Sequence, residues 1–497
     1  MMEYKNPIIP GYYPDPSICK GKDGYYLVNS SFEYLPGVPL FYSRNLIDWK
    51  QIGYCLHKSS QIDILDSKCS GGVFAPTIRY YHDVYYMITT NITKGNFFVT
   101  SQNPESGWSQ PIFLEPRIEG IDPSLYFEDG HAYVQLASFK EQGILQFEIN
   151  TITGELMGEA KLISKGCGGR DVEAPHMYKI HGIYYLMCAE GGTRDGHMVT
   201  IQKSESLWGP FVSCPNNPIL TNRDQARQVL QGVGHGDLIE DEVGEWWMVC
   251  HGYRPVRHKH ILGRETLLLP VVWKKQWPVI WKGYAETNIV CTRVIEREVS
   301  ELSGYCNFMD ECLPIEFNSV RAFPNCCCSL NERLGYLRLI GNKASLSDEK
   351  PFAMIGRRQQ HIQFESYVSF DLSMLNKGEC GLSIYMDTRH HIELVIMPQQ
   401  NGYAIFVKKQ VGEIIVKSNF ILVNEHSICL GIKGSQETYE FYYGLDERDL
   451  QLVDWTYTSH VSTEVADSPF TGVYIGMYAI YEAIVDVAWF SYRGNDK

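Results

Sequence analysis

Five short stretches near the start of the chain open alike, and three of them carry a carboxylate there: "PDPSI" (14–18), "FAPTI" (74–78), "IDPSL" (121–125), "EAPHM" (173–177) and "GHGDLI" (234–239). Aligned on the proline, they present Asp15, Phe74-Ala75, Asp122, Glu173-Ala174 and His235-Gly236. Alone, Asp15 reads as a solvated turn residue, because a proline on each side limits the backbone to extended conformations. Held together, three carboxylates and an imidazole have two chemical uses. Like charges at close range push proton affinities apart, which suits acid/base work, or they hold a cation. A pure metal site calls for four or more hard oxygen ligands, more than these openings supply.

Whether the five openings meet depends on the elements that carry them. Each precedes a turn and an aromatic strand: "KDGYYLVNSS", "HDVYYMITTN", "EDGHAYVQLAS", "IHGIYYLMCAE" and "VGEWWMVCHG". Helical periodicity is nearly absent, and short β-branched and aromatic runs bounded by Gly, Asn, Asp and Pro dominate. A unit of several antiparallel strands recurring five times predicts a five-bladed β-propeller over residues 1–295. The first strand of each blade lines the central channel, so Asp15, Asp122, Glu173 and His235 are expected to converge at one face. By the same register Asp23, Glu128 and Asp129 fall in hairpin turns and are expected to be solvated and inert.

The whole chain narrows the partners. Its 497 residues imply two or three domains, and its formal net charge of −14 argues against nucleic acid and acidic polymers. Neutral small molecules or neutral polymers remain. No apolar run reaches the length of a membrane span, and the start, "MMEYKNPIIPGYYPDPS", has no apolar signal region. The fifteen cysteines lie mostly within apolar strands (Cys188, Cys250, Cys429), as reduced thiols of a cytoplasmic protein would. "CCC" at 326–328 has no second pair at zinc spacing and reads as buried or incidental thiols. The histidines of "HGYRPVRHKHIL" are interleaved with Arg and Lys and read as a solvated loop. Homo-oligomerisation stays open.

From about Glu296 the propeller period stops. Alternating strands follow, such as "HIQFESYVSFDL", "CGLSIYMDTRHHIELVIM" and "IVDVAWFSY", each burying one face as in a two-sheet sandwich over 296–497.

Acids on three blades beside aromatics (Phe32, Phe74, Trp49, Tyr13) suit a sugar better than a bare ion. Two carboxylates across a glycosidic bond, with a third holding their charge state, are the arrangement for glycoside hydrolysis. The ordered motifs resemble glycoside hydrolase family 43, the β-xylosidase and α-L-arabinofuranosidase group. They include "NPIIPGYYPDPSI", "SGGVFAPTIRY", "GIDPSLYFEDG", "EAPHMYKIHGIYYLMCAEGGT", "GVGHGDLIE" and "LGRETLLLPVVW". "IGRRQQH" and the strands after it resemble the concanavalin-like domain appended to family β-xylosidases.

The resemblance implies inverting hydrolysis, with Asp15 as general base, Glu173 as general acid and Asp122 orienting Glu173 and keeping its proton affinity high. It further implies that Arg264 binds hydroxyls of the terminal sugar and that His235 stands near a structural calcium ion or a water on the axis, with no cofactor required for chemistry. An inverting pair stands roughly 6.5–9.5 Å apart. The sandwich would close one side of the pocket, favouring exo cleavage, with separate carbohydrate binding as its other reading. Phe32 and Phe74 are candidate sugar contacts, and Arg264 has a second reading as the partner of a channel carboxylate.

Three departures touch the pocket: Phe74 where relatives commonly have tryptophan, "EAPH" for "EGPH", and "GRDVEAPH" for "GRWPEGPH". The expected activity is release of terminal xylose from β-1,4-xylooligosaccharides. Arabinofuranosidase activity is the nearest alternative, and a non-catalytic sugar-binding propeller the rival of another class.

Overall fold

The computed structural model describes residues 2–291, 304–466 and 469–495. The expected boundary at 295/296 and most of the linker lie outside the described residues.

Five four-stranded antiparallel sheets form the propeller, each ordered from the axis outward as the chain runs. Their innermost strands are Ser17–Lys20, Thr77–Tyr81, Ile121–Glu128, Glu173–Ile180 and Gln231–Glu240. Each predicted aromatic strand is the second of its blade, Ile183–Glu190 for instance. Blades stack face to face, so their strands are buried on both sides and read as continuous apolar runs rather than alternating ones. Separate cores fill the gaps between neighbours. Val28, Ile78 and Met87 join blades 1 and 2, Ile88, Phe98 and Val134 join 2 and 3, and Ala137, Met177 and Leu186 join 3 and 4. One larger cluster joins blade 5 to both 4 and 1 through Ile201, Trp247, Leu267 and Ile18.

Every blade draws its four strands from one stretch of chain, so no shared strand latches the ring. Closure falls to a two-stranded pairing of Met2–Lys5 with Asn288–Cys291 and to a buried ion pair. Asp237 of blade 5 accepts from Ser17 Oγ (2.7 Å) and the Ile18 N–H (3.1 Å) of blade 1, and from Arg79 of blade 2 (2.8 and 3.1 Å). Tyr178 of blade 4 donates to it as well, at 2.6 Å.

The C-terminal part is a two-sheet sandwich. The eight-stranded sheet has Phe364–Asp371, Ser427–Gly434 and Ile484–Gly494 at its centre, and the seven-stranded sheet has Glu379–Asp387, His390–Gln399 and Tyr474–Ile480. Val368, Phe370, Leu430 and Phe490 meet Leu382, Ile384, Leu394 and Ile475 between them. No α-helix occurs among the described residues.

The sandwich is docked by buried cations. Arg358, from the "IGRRQQH" motif, donates to the Tyr12 carbonyl (2.7 Å) and Asn318 Oδ1 (2.8 Å), with Tyr13 and Tyr474 rings beside it. Arg321 donates to the Ser67 carbonyl at 2.6 Å. Tyr34 and Tyr474 stack across the junction with ring centroids 3.8 Å apart.

Candidate active site

Four of the five blade openings share one backbone device. Asp15, Asp122, Ala174 and His235 stand at φ of 53°, 53°, 49° and 52°, in the left-handed region, so Asp15 is not held extended as its flanking prolines had suggested. Registers slip beside three of them, at Ile121/Ser124, Glu173/His176 and Gly234/Asp237, as in a β-bulge. A bulge re-aims a side chain and leaves a backbone group unpaired. Proline at 16, 123 and 175 has no N–H to leave unpaired, which explains the recurring motif.

The devices turn the predicted acids into one cavity of about 410 Å³. Asp15, Asp122, Glu173, His235, Arg264, Phe32 and Phe74 all line it, so every sequence-predicted site residue is brought together. The other two aromatics named from sequence, Trp49 and Tyr13, are buried in the core of the ring instead. The Trp49 indole donates to the Leu46 carbonyl at 2.8 Å.

Asp15 is held on both oxygens. Arg264 Nη1 donates to Oδ1 at 2.6 Å and Ser30 Oγ to Oδ2 at 2.5 Å. Arg264 thus pairs with a channel carboxylate and also lines the cavity. It is fixed by Thr193 Oγ1 (3.1 Å) and by the carbonyl of Phe470 (3.4 Å), a sandwich residue. The loop preceding Arg264 is clasped by that domain, through Thr463 N–H to His260 O and Val473 N–H to Ile261 O, both 2.9 Å.

The histidines around Asp15 are neutral. Burial pushes His235 down to about 4 and His251 down to about 3, so neither is an imidazolium at neutral pH. His251 Nδ1 accepts the Asp15 N–H at 3.1 Å, and its Nε2 lies 3.3 Å from His197 Nδ1. Burial alone would raise Asp15, but the adjacent Arg264 guanidinium together with His235 and the hydrogen bond to His251 outweighs it and holds the carboxyl well below its ordinary range.

The other two acids go the opposite way. Burial, and then the charge of Asp15, push Asp122 up to about 7, although it accepts the Ala174 N–H at 3.2 Å. Burial and then Asp122 raise Glu173 well above a free glutamate. The pocket therefore holds an ionised Asp15 facing a proton held by Asp122 and Glu173.

Some expectations need correction. His251 is fully buried in strand Trp246–Tyr253, and His260 is buried and paired with Glu464 at 2.7 Å. Only His258 of that run is exposed, because the loop folds under the sandwich rather than into solvent. Glu128 is bound by Lys179 and by the Tyr184 hydroxyl (2.9 Å) of the next blade, so it is not a free turn residue. Asp23 and Asp129 are exposed as expected.

Asp171 of the "GRDVEAPH" departure lines the cavity, whereas sequence reasoning missed Arg170, Arg194 and Phe470 as lining residues. Arg170 and Asp171 sit on a loop that Glu190 ties down, accepting the Cys167 N–H (2.8 Å) and the Gly169 N–H (2.6 Å). Glu190 belongs to "EGGT", so the motif itself held that signal. Phe470 lay 400 residues from Ser70, whose Oγ accepts its N–H at 2.8 Å, with no local pattern to mark it.

Asp15, His235 and His251 form a cluster whose ligand atoms lie within 4.8 Å of one another. Two imidazole nitrogens and one carboxylate oxygen, with a guanidinium 2.6 Å from that oxygen, do not make the oxygen-rich cage that calcium prefers.

Residues 4–278 match the model for glycosyl hydrolases family 43, and residues 306–493 match the β-xylosidase C-terminal concanavalin A-like domain. The chain belongs to glycoside hydrolase family 43. It is 34% identical to a non-reducing end α-L-arabinofuranosidase of Bacteroides ovatus, over 99% of this chain and 95% of that one. A xylosidase/arabinosidase of Butyrivibrio fibrisolvens is 32% identical over 96% of each chain. The crystal structure of a xylan β-1,4-xylosidase from Bacillus halodurans C-125 superposes with a TM-score of 0.93 at 31% identity, covering 99% of this chain and 100% of that one. This family 43 protein is therefore a glycoside hydrolase built as a five-bladed propeller with a concanavalin-like sandwich, and its chemistry requires no cofactor.

Proposed function

We propose that the protein is an inverting exo-glycosidase that removes terminal xylose from short β-1,4-xylooligosaccharides. The observation that carries this reading is the split protonation of the pocket: one carboxylate ionised against Arg264, and a facing pair that retains a proton near neutral pH. Asp15 takes a proton from a water molecule as that water attacks the anomeric carbon. Glu173 gives its proton to the leaving oxygen as the glycosidic bond breaks, and Asp122 positions Glu173 and keeps it protonated. The products are an inverted free sugar and a shortened chain. Phe470 narrows the cavity from the sandwich side, which supports end-wise attack.

A second reading, release of terminal arabinofuranose, alone or as an additional activity, is favoured by the 34% identity to the α-L-arabinofuranosidase of Bacteroides ovatus. Parallel hydrolysis of nitrophenyl β-xyloside and nitrophenyl α-L-arabinofuranoside, with the first-formed anomer followed by NMR, tests both. A faster xyloside reaction with inversion is expected. A product of retained configuration would sink the mechanism, and turnover of the arabinofuranoside alone would replace the sugar.

Among the described residues, His235, His251 and Asp15 are the side chains clustered closely enough to hold a cation beside the axis. A reducing, cytoplasmic setting suits the free thiols buried in the blades, among them Cys19, Cys55, Cys188 and Cys250.

A further inference from the structure

The eight-stranded sheet of the sandwich buries one face and turns the other outward. Strand registers put Tyr305 opposite Ser491, Ser491 opposite Tyr367, Tyr367 opposite Gly431 and Gly431 opposite Tyr442. Their in-chain neighbours Val368, Phe490 and Phe441 fill the core, so this row faces outward. Large rings thus alternate with small residues across five strands. The Tyr367 ring leans over Gly431, where an added Cβ would lie 2.7 Å from it. That lean opens the floor at Ser491, between Tyr367 and Tyr305. Tyr305 is 66% exposed, and its inner side rests on Trp489 with centroids 5.9 Å apart.

The result is a trough of about 530 Å³ lined by Tyr305, Tyr367 and Ser491, and none of its residues lines the catalytic pocket. Two strands' separation sets its walls roughly 9–10 Å apart. A saccharide ring in contact with both walls, about 3.5–4.0 Å from each, fills that width. Glu365 and Arg493, opposite one another one step along the same face, bound one side. Glu447 and Arg448, in the turn after strand Thr438–Gly444, bound the other. Carboxylates that accept and guanidinium groups that donate, around paired apolar ring faces, are complementary to a polyhydroxylated ring and not to a lipid or an apolar peptide.

We propose that this trough is a second, non-catalytic saccharide site, which takes a pyranose unit of the polymer whose ends the propeller trims. The proposal rests on the glycosidase reading for its ligand class only. The chain with Glu173→Gln should bind xylohexaose calorimetrically in two events, and adding Tyr305→Ala should remove one of them or weaken it by about tenfold or more. Tyr305→Ala alone should leave nitrophenyl glycoside turnover unchanged, which also shows that the variant folds; Tyr367→Ala repeats the test from the opposite wall. A single event in the Glu173→Gln chain, or two events that survive both tyrosine substitutions, overturns the proposal. Failure of the parent to hydrolyse either nitrophenyl glycoside counts against the function proposed for the pocket. The tyrosine-dependent event, measured without turnover, stands or falls separately.

Discussion

Asp237 and Glu173 are acids on the innermost strands of neighbouring blades, and the fold treats them in opposite ways. Asp237 is fully buried and accepts from Arg79, Ser17, Tyr178 and the Ile18 N–H, so it stays ionised far below the usual carboxylate range. Glu173 is buried with three other acids, Asp122, Asp15 and Asp171, for electrostatic neighbours, accepts no hydrogen bond on its carboxyl among the described residues, and is pushed well above its ordinary value. A carboxylate whose lone pairs are filled is a structural part, here the clasp of a ring without a strand latch. One left under-satisfied beside like charges keeps its proton available for transfer.

The largest effect should come from removing the reactive acid. Glu173→Ala should slow cleavage of xylobiose by about 10²–10⁴-fold, the usual contribution of a positioned acid. Nitrophenyl glycosides, whose leaving group needs little protonation, should lose far less, and xylose binding should persist. Equal losses on both substrates would remove Glu173 from the acid role.

The structural acid is tested by stability. Asp237→Ala leaves Arg79 buried without its partner and should cost about 3–5 kcal/mol. Thermal unfolding should fall steeply, with activity lost through the fold. A chain that keeps its Tm would show that the two-stranded pairing of Met2–Lys5 with Asn288–Cys291 is latch enough.

The same contrast explains what the sequence made legible. Asp15 and Asp122 could be found because the repeat puts them in register, and Glu173 because it stands one residue before that register; no other opening has an acid at either position. Asp237 sits in the fifth repeat too, in "GHGDLI", two residues past His235 and off the aligned position. Its burial follows only from Arg79 facing it across the axis, and that pairing joins residues 158 apart. The propeller was readable because each blade is local in the chain. The sandwich contribution to the pocket was not, since Phe470 and the clasp around His260 depend on how two domains dock. His251 was misread for a related reason: its local company of Arg and Lys suggested solvent, whereas its strand points it at Asp15.

Asp122 links the two behaviours. Its charge helps hold the proton on Glu173, so Asp122→Asn should lower the proton affinity of Glu173 and move the alkaline limb of the rate profile to lower pH. The acid limb, set by Asp15 against Arg264, should stay in place. The stability sign follows from linkage. Asp122 titrates at about 7 in the fold against 3.8 in a free chain, so the fold loses stability as pH rises between those values. Asp122→Asn should therefore raise Tm at pH 8, by on the order of 3–6 °C, and leave it unchanged near pH 3. A stabilisation that did not grow with pH would mean that Asp122 is satisfied in the manner of Asp237.

The smallest effect concerns the backbone strain that four of the five openings carry, all three of the acid-bearing ones among them. Ala174 is held at φ 49° so that its N–H reaches Asp122, a conformation costing an alanine roughly 1–2 kcal/mol. Glycine removes that cost but adds back about 0.4–1 kcal/mol of unfolded-chain entropy. Ala174→Gly should thus stabilise by about 0–1.6 kcal/mol while keeping the N–H donor. Ala75 occupies the equivalent place in blade 2 and is not among the left-handed residues, so Ala75→Gly should destabilise by about 0.5–1 kcal/mol. The opposite signs, read from paired denaturation curves, separate an opening strained to aim a catalytic acid from one that only completes the ring. If both glycines shift the midpoint the same way, the left-handed device belongs to propeller closure, and the acids have merely been built on it.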